Sequence, residues 1–309
     1  MEILRSISDL AKLRVPVVLA AGTFDGLHLG HQGLIQRAVE EADRIGGNAV
    51  VMTFDRHPSS LIRPEQAPKL LTRNSTKLAL LEQMGVPVVL FLKFNEILAA
   101  MPAEEFITSL ASSAKILSMI CVGSQWSFGR GGKGNIPLLK TFGEKFGFSV
   151  AEIGPVEAGG RPISSTRIRE AIATGDFQEA VECLGRNYRL CGVVVTGAGL
   201  GAKIGFPTAN LDVTGMQLPP DGVYAVRLCE RARNFTGVAN IGIRPTINPS
   251  TVKRTVEVHI FDISENLVGK ELSIEFIQYL RGEQRFPDLA ALTSQISKDC
   301  EKAKQVVLR

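Results

Sequence analysis

AAGTFDGLHLGH, residues 20–31, is the stretch on which the fold of the first half turns. An apolar run, residues 15–21, leads into it and reads as a buried strand. Helical spacing follows, from about Leu34. A strand, a glycine-rich turn and a helix start together build a phosphate site. Gly22 and Gly30 let backbone approach an anion, and the helix N-terminus offers free N–H groups and a positive dipole end. His28 and His31, three residues apart, share one face of the first helical turn and point toward whatever the turn holds. The chain has only four histidines, and two of them fall here.

Outward from this stretch, short apolar strands alternate with helical patterns. Helices are expected over 32–45, 75–84, 102–111 and 136–146. Strands are expected over 49–54, 86–91, 116–122 and 148–153. Such alternation predicts βαβ units and a parallel sheet buried on both faces. Ligands bind such sheets beyond the carboxyl ends of the strands. The opening turn, residues 55–58 and residues 123–134 all fall there. After two more helices, 166–173 and 177–184, the texture changes. Short β-like segments with Gly, Pro and Asn turns follow: 191–195, 223–228, 235–241, 256–261 and 272–276. They read as a small antiparallel barrel or sandwich, closed by a final helix over 288–306. The domain boundary is placed near Arg186.

Composition is that of a globular protein, with 45% hydrophobic and 21% charged residues in 309. A formal charge of +4 suits phosphate-bearing substrates but is too weak to argue for nucleic acid. Five scattered cysteines without a CxxC pair read as reduced thiols in a cytoplasmic protein, not a disulfide frame or zinc site. The first fourteen residues lack a signal-peptide pattern, and no run is apolar and long enough to cross a membrane.

GTFDGLHLGH resembles the nucleotidyltransferase signature GxFDGxHxGH. With the motifs below, which follow in the family's order, the whole chain resembles the bacterial bifunctional riboflavin kinase/FAD synthetase family. The resemblance implies an α/β nucleotidyltransferase domain with a Rossmann-like parallel sheet, residues 1–186, joined to a small antiparallel β-barrel domain with a C-terminal helix, residues 187–309. It implies phosphorylation of riboflavin to FMN and adenylylation of FMN to FAD, both from ATP with Mg²⁺. FMN and FAD enter as substrate and product, and neither nucleic acid nor a membrane takes part. Self-association is left open.

In adenylyl transfer an ionised phosphate attacks the α-phosphorus of ATP, so little general-base work is needed. Positioning and neutralisation of charge dominate. His28 and His31 beside a helix start can supply that, whereas Asp25 reads as a turn residue and Phe24 as packing. The resemblance adds Gly22, Phe24 and Gly30 to the ATP site. ISSTRIR, residues 163–169, offers Ser165 or Thr166 as a helix cap facing an anion, and Arg169, more than Arg167, against the β- and γ-phosphates. Alone it would pass for an ordinary cap with solvated arginines. VGSQWSFGRGGKG, residues 122–134, is similar to the family's VGxDFxFG loop, with Gln125 for Asp or Asn and Trp126 for Phe; both are placed at nucleotide or flavin. TFDRHP, residues 53–58, is similar to TFxPHP, and places His57 on the flavin side.

IGFPTANL, residues 204–211, resembles the flavokinase signature. Pro207 holds the loop, while Thr208 and Asn210 offer hard oxygens of the kind Mg²⁺ takes alongside phosphates. GVYA (222–225) and GVANIGIRPTI (237–247) follow in register. A kinase acting on an alcohol needs a base. In VEVHIFD, residues 256–262, period two sets Glu257, His259 and Phe261 on one face and Val256, Val258 and Ile260 on the other. Glu257 is the carboxylate on an otherwise apolar strand, and the family points to it as the base for the riboflavin 5′-hydroxyl. YLRGEQRF, residues 279–286, is similar to the flavin loop, with Arg281 and Phe286 at flavin phosphate and ring. Two departures fall near this site. Ala202 stands for an arginine, with Lys203 as the neighbouring cation, and Val268 stands for a tyrosine. Two other readings stay open: an adenylyltransferase whose barrel only binds flavin, and a flavin carrier without catalysis.

Overall fold

In the computed structural model the described residues are 1–197, 199–230, 233–244, 253–263 and 265–307. In chain order the first elements are β1 (Glu2–Leu4), β2 (Val17–Ala21), α1 (Leu29–Arg44), β3 (Asn48–Phe54), α2 (Ser59–Ile62), α3 (Asn74–Gln83) and β4 (Val88–Leu92). Then come α4 (Glu96–Ala100), α5 (Ala103–Ser113), β5 (Leu117–Gly123), α6 (Ile136–Phe146) and β6 (Ser149–Ile153). The strands form one parallel sheet in the order β1-β4-β3-β2-β5-β6.

Period two along these strands explains the layers. Val17, Leu19, Ala21, Val50, Met52, Leu90 and Ile120 pack with α5 and α6 residues in one core. Val18, Ala20, Ala49, Val51, Val89 and Cys121 pack on the other side with α1 residues Leu34, Ile35 and Ala38. Every residue of β2 and of β4 is buried, as a parallel strand covered on both faces requires. Each such Val or Leu contributes about 1.5–3 kcal/mol by leaving water. The chain reverses direction across the sheet between β2 and β5. Loops after those two strands therefore leave the same edge, at the switch point where α/β sheets bind ligands.

A two-stranded hairpin, β7 (Glu157–Ala158) with β8 (Arg161–Pro162), precedes α7 (Ser165–Thr174) and α8 (Phe177–Leu184). The remaining elements are β9 (Arg189–Val195), α9 (Leu200–Lys203), β10 (Ala209–Asp212), β11 (Gly222–Glu230), β12 (Arg233–Arg244), β13 (Lys253–Ile260), β14 (Glu271–Arg281) and α10 (Leu289–Val307). By compactness the chain divides into Met1–Ser165 and Thr166–Arg309, so α7 and α8 go with the second unit.

The six strands from β9 onward close into an antiparallel barrel, β10-β13-β12-β11-β14-β9. It is a barrel, not a sandwich. Val256 and Val258 are fully buried on one face of β13. The opposite face belongs to the layer under α10, where Val223, Ala225, Val238, Phe261 and Leu280 pack with Cys300, Ala303 and Val307. Four strands lay outside the sequence reading, β1, β7, β8 and β10. The Pro245–Ile247 end of the GVANIGIRPTI motif lies outside the described residues.

Candidate active sites

The turn after β2 is held from below. The buried Asp25 carboxylate accepts N–H bonds from Leu71 at 3.0 and 3.1 Å and from Thr72 at 3.1 Å, while Gly26 N–H donates to Thr72 Oγ1 at 3.0 Å. This reciprocal lacing fixes the turn that ends in α1. Phe24, at φ +50, is left-handed without being glycine, a strained conformation that such lacing sustains.

His28 is the N-cap of α1. Its Nδ1 accepts the His31 N–H at 3.3 Å, so the neutral ring keeps its proton on Nε2. Gly30 makes this geometry available, because a Cβ there would lie 3.2 Å from the His28 ring. The two imidazoles stack with centroids 3.6 Å apart, and Phe24 meets His31 edge-on at 5.2 Å. Among the described residues, His31 Nδ1 is the one buried side-chain nitrogen or oxygen without a hydrogen-bond partner. Burial, reinforced by His28 and Lys77, holds the His31 pKa well below the ordinary histidine value. The His31 ring is therefore held neutral and buried at the helix start.

The other expected residues of this site distribute unevenly. The Ser165 hydroxyl donates to the Asp25 carbonyl at 2.9 Å and so belongs to the turn. Thr166 is exposed and Arg169 half-buried on α7, while the buried Arg167 pairs with Glu179 of α8. Phe24 needs a correction: the residue is 0% exposed, so it packs the turn and offers no surface to a ligand. A Cβ on Gly22 would lie 3.0 Å from that ring. Gly22 therefore serves ring packing as much as anion approach. Beyond β5, Gln125 is exposed and Trp126 half-buried, stacked on Phe128 with centroids 4.4 Å apart. His57, beyond β3, accepts the Ser59 N–H at 3.2 Å on Nδ1.

The second site lies on the α10 face of the barrel, in a cavity of about 300 Å³. Barrel pairing builds it. Asn210 of β10 pairs with Glu257 of β13, which pairs with Asn240 of β12. Residues paired across an antiparallel ladder share a face, so the three polar side chains form one row. Among the described residues no side chain or backbone group hydrogen-bonds or ion-pairs with the Glu257 carboxylate, which faces the cavity beside Asn240, Thr208, His259 and Phe286. His259 donates from Nδ1 to the Pro207 carbonyl at 2.8 Å and thereby ties the loop that carries Thr208 to β13. Thr208 also borders a second cavity of about 240 Å³, lined by Val195, Gly197, Asn266 and Val268. The exposed Lys203 lies on α9.

Arg281 takes a different part from the one expected. Its Nε donates to the Asp299 oxygens at 3.1 and 3.0 Å, its Nη2 to Oδ2 at 2.8 Å, and its Nη1 to the Gly282 carbonyl at 2.9 Å. Gln295 supports Asp299 at 2.9 Å. The guanidinium also stands 5.7 Å from the Phe286 ring centroid. It clasps β14 to α10 and props Phe286. Its hold on Asp299 leaves less of it for a flavin phosphate than the sequence suggested.

Sequence reasoning missed Lys77, His259 as a tie, and Asp299. Helix phase carried a signal for Lys77, which lies four residues before the fully buried Leu81 on the same face of α3. One glycine gives a sharp test. A Cβ on Gly197 would sit 2.1 Å from Asn210 Nδ2. Gly197→Ala is expected to displace that amide and lower FMN formation about tenfold. FAD formation from supplied FMN should stay unchanged, as steady-state assays of each reaction would read.

A histidine-bearing turn at a sheet switch point, followed on the same chain by a barrel with a carboxylate facing its cavity, defines a nucleotidyltransferase fused to a kinase-type barrel. Two family models match in that order, FAD synthetase over residues 11–167 and riboflavin kinase over residues 184–307. The chain belongs to the bifunctional riboflavin kinase/FMN adenylyltransferase family. The member from Haemophilus influenzae is 36% identical over 98% of both chains. That from Escherichia coli K12 is 36% identical over 97% of this chain and 96% of its own. A crystal structure from Streptococcus pneumoniae, named a macrolide-efflux protein, shares the fold with a TM-score of 0.81 at 28% identity, covering 98% of this chain and 99% of that one. Among the described residues no helix is long and apolar enough to cross a membrane.

Proposed function

We propose that the barrel unit phosphorylates riboflavin from ATP, and that the sheet unit transfers AMP from a second ATP to the resulting FMN, releasing pyrophosphate. The observation that carries this reading is the presence of two separate reactive groups on one chain. One is a buried, unpartnered imidazole nitrogen at a helix start. The other is a carboxylate, without a partner among the described residues, in a cavity on the barrel.

In the adenylyl step an oxygen of the FMN phosphate attacks the α-phosphorus of ATP and the bond to pyrophosphate breaks. The N-terminus of α1 and the Nε2–H of His28 receive the phosphate charge, and His31 lies stacked beneath. Ser165, Thr166 and Arg169 are proposed on the triphosphate, and Gln125, Trp126 and His57 on the flavin. In the kinase step Glu257 takes the proton of the riboflavin 5′-hydroxyl as its oxygen attacks the γ-phosphorus, and ADP leaves. Phe286 is proposed against the flavin ring in the larger cavity. The nucleotide fits the cavity beyond Thr208, with Lys203 near its phosphates.

Mg²⁺ fits the same place. Thr208 and Asn210 present a hydroxyl and an amide oxygen, hard donors but too few to hold a cation alone. Among the described residues there is no cluster of three His, Cys, Asp or Glu side chains for a metal. The cation would therefore arrive on the ATP phosphates, where it neutralises their charge. The functional boundary is proposed near Arg186, after the FAD synthetase match and at the start of the riboflavin kinase match. Five scattered cysteines without a CxxC pair support a reducing, cytoplasmic setting.

Chromatography of products tests the whole reading, with riboflavin and then FMN as the only flavin. FMN and FAD should form from riboflavin, and FAD from FMN. FAD from FMN without FMN from riboflavin would leave an adenylyltransferase with a binding barrel. Tight flavin binding without any product would leave a carrier.

A further inference from the structure

Residues 200–207, made of α9 and the turn after it, hold themselves together. Phe206 N–H donates back to the Gly201 carbonyl at 2.8 Å, Ile204 N–H to the same carbonyl at 3.2 Å, and Gly205 N–H to the Ala202 carbonyl at 3.3 Å. A Cβ on Gly201 would lie 2.3 Å from the Phe206 carbonyl oxygen and 3.3 Å from Thr208 Oγ1, so the start of the segment presses on its end. Ala202, Lys203, Gly205 and Pro207 are exposed. A surface lobe whose bonds close on themselves owes its position to whatever ties it to the body of the fold.

Two things tie this lobe. The partly buried Phe206 packs on the layer under α10, a contact without direction. The directional tie is His259 on β13. Its Nδ1 stands 2.8 Å from the Pro207 carbonyl, and a carbonyl only accepts, so Nδ1 carries the proton. The ring meets Phe206 and Phe261 nearly at right angles, with centroids 5.4 and 5.8 Å away, and these contacts fix the plane in which it donates. Among the described residues, this is the one hydrogen bond from residues 200–207 to the barrel strands. The lobe carries parts of both cavities. Leu200, Gly201, Ile204 and Phe206 line the larger one beside Glu257, while Pro207 and Thr208 line the smaller one. His259 itself lies two residues beyond Glu257, on the same face of the strand.

We infer that His259 is a positioning residue for the kinase reaction: through the Pro207 carbonyl it latches residues 200–207 to β13, and one hydrogen bond thereby sets the flavin wall and the nucleotide wall together. The inference rests on the proposed kinase site. His259 takes no proton from the substrate and acts through the lobe it holds. Because the latch is anchored on the strand that carries Glu257, both walls are placed relative to the carboxylate itself.

The test compares His259→Leu with His259→Asn in the full-length enzyme. The two side chains have one shape, but only the asparagine can donate to Pro207. His259→Leu should raise KM for riboflavin and KM for ATP together and lower kcat/KM for FMN formation about 100-fold, as a site wall displaced by about 1 Å does. His259→Asn should regain most of that loss. FAD formation from supplied FMN should stay unchanged in both. Trypsin should cut after the exposed Lys203 faster in His259→Leu than in the wild type, and at nearly the wild-type rate in His259→Asn. Unchanged KM values in His259→Leu overturn the inference, whatever happens to kcat, as does an asparagine variant no better than the leucine one. If His259→Leu fails to fold, Gly201→Ala decides, since its methyl group drives against the Phe206 carbonyl and shifts the lobe without touching His259. The same two KM values should then rise, and unchanged values overturn the inference. Failure of the underlying kinase reading looks different: the wild type itself would make no FMN.

Discussion

His28→Ala combined with His31→Ala is expected to abolish FAD formation and leave FMN formation intact. The loss in kcat/KM is expected to reach at least about 1,000-fold if, as proposed, His28 meets the charge that develops on the transferring adenylyl group and His31 supports it from beneath. Folding does not account for a loss of that size. His28 caps α1, and removing an N-cap costs only about 1 kcal/mol. Removing His31 deletes a ring whose Nδ1 has no partner to leave stranded. The barrel reports on the integrity of the chain in the same tube. With FMN as the only flavin the variant should produce no FAD. With riboflavin it should accumulate FMN. Equal loss of both reactions would place the two histidines in structure instead of chemistry.

Glu257→Gln inverts the pattern. The amide keeps the size and the place in the row between Asn210 and Asn240, but it cannot accept the hydroxyl proton. A fall of about 100- to 10,000-fold in FMN formation follows from the loss of a general base. FAD should still form from supplied FMN at the normal rate. From riboflavin the variant should yield neither product, since the second reaction lacks its substrate. The isosteric change matters, because Glu257→Ala alone would also open space beside Thr208 and His259. Normal FMN formation in Glu257→Gln would move the base elsewhere.

Much of this was legible in the sequence, for identifiable reasons. Strands covered on both faces are continuous apolar runs, so β2, β3 and β4 stood out. The glycines and histidines of the opening turn announced an anion site, and Glu257 stood out because its strand neighbours are apolar. What escaped lacks local signal. β1 has three residues, too few for a period. β10 hid inside the IGFPTANL motif, which reads as a loop, although its pairing is what sets Asn210 beside Glu257. Arg281 read as a flavin contact because its partner, Asp299, is 18 residues away on α10. Lys77 drew no reading, since burial of its ammonium depends on carbonyls from β3 and the β2 turn. Phe24 was assigned to ATP by its motif, whereas the fold buries the whole residue.

The row Asn210–Glu257–Asn240 is held by a closed ring of strands, and a closed ring has no free edge along which one strand can creep. A slip of one residue in β13 would turn Glu257 to the inside and bring Val256 or Val258 out. Intermediate positions do not exist on a pleated strand. The proposed base is therefore digital: it is in register or it is absent. Loss of FMN formation under denaturant should accordingly track loss of the barrel, without a weakened but folded form. Evolution cannot shift this carboxylate by small steps either. Changes of flavin or nucleotide preference have to be made in the segments the ladder does not grip, residues 200–207 and 282–287, while the catalytic row stays where the strands have locked it.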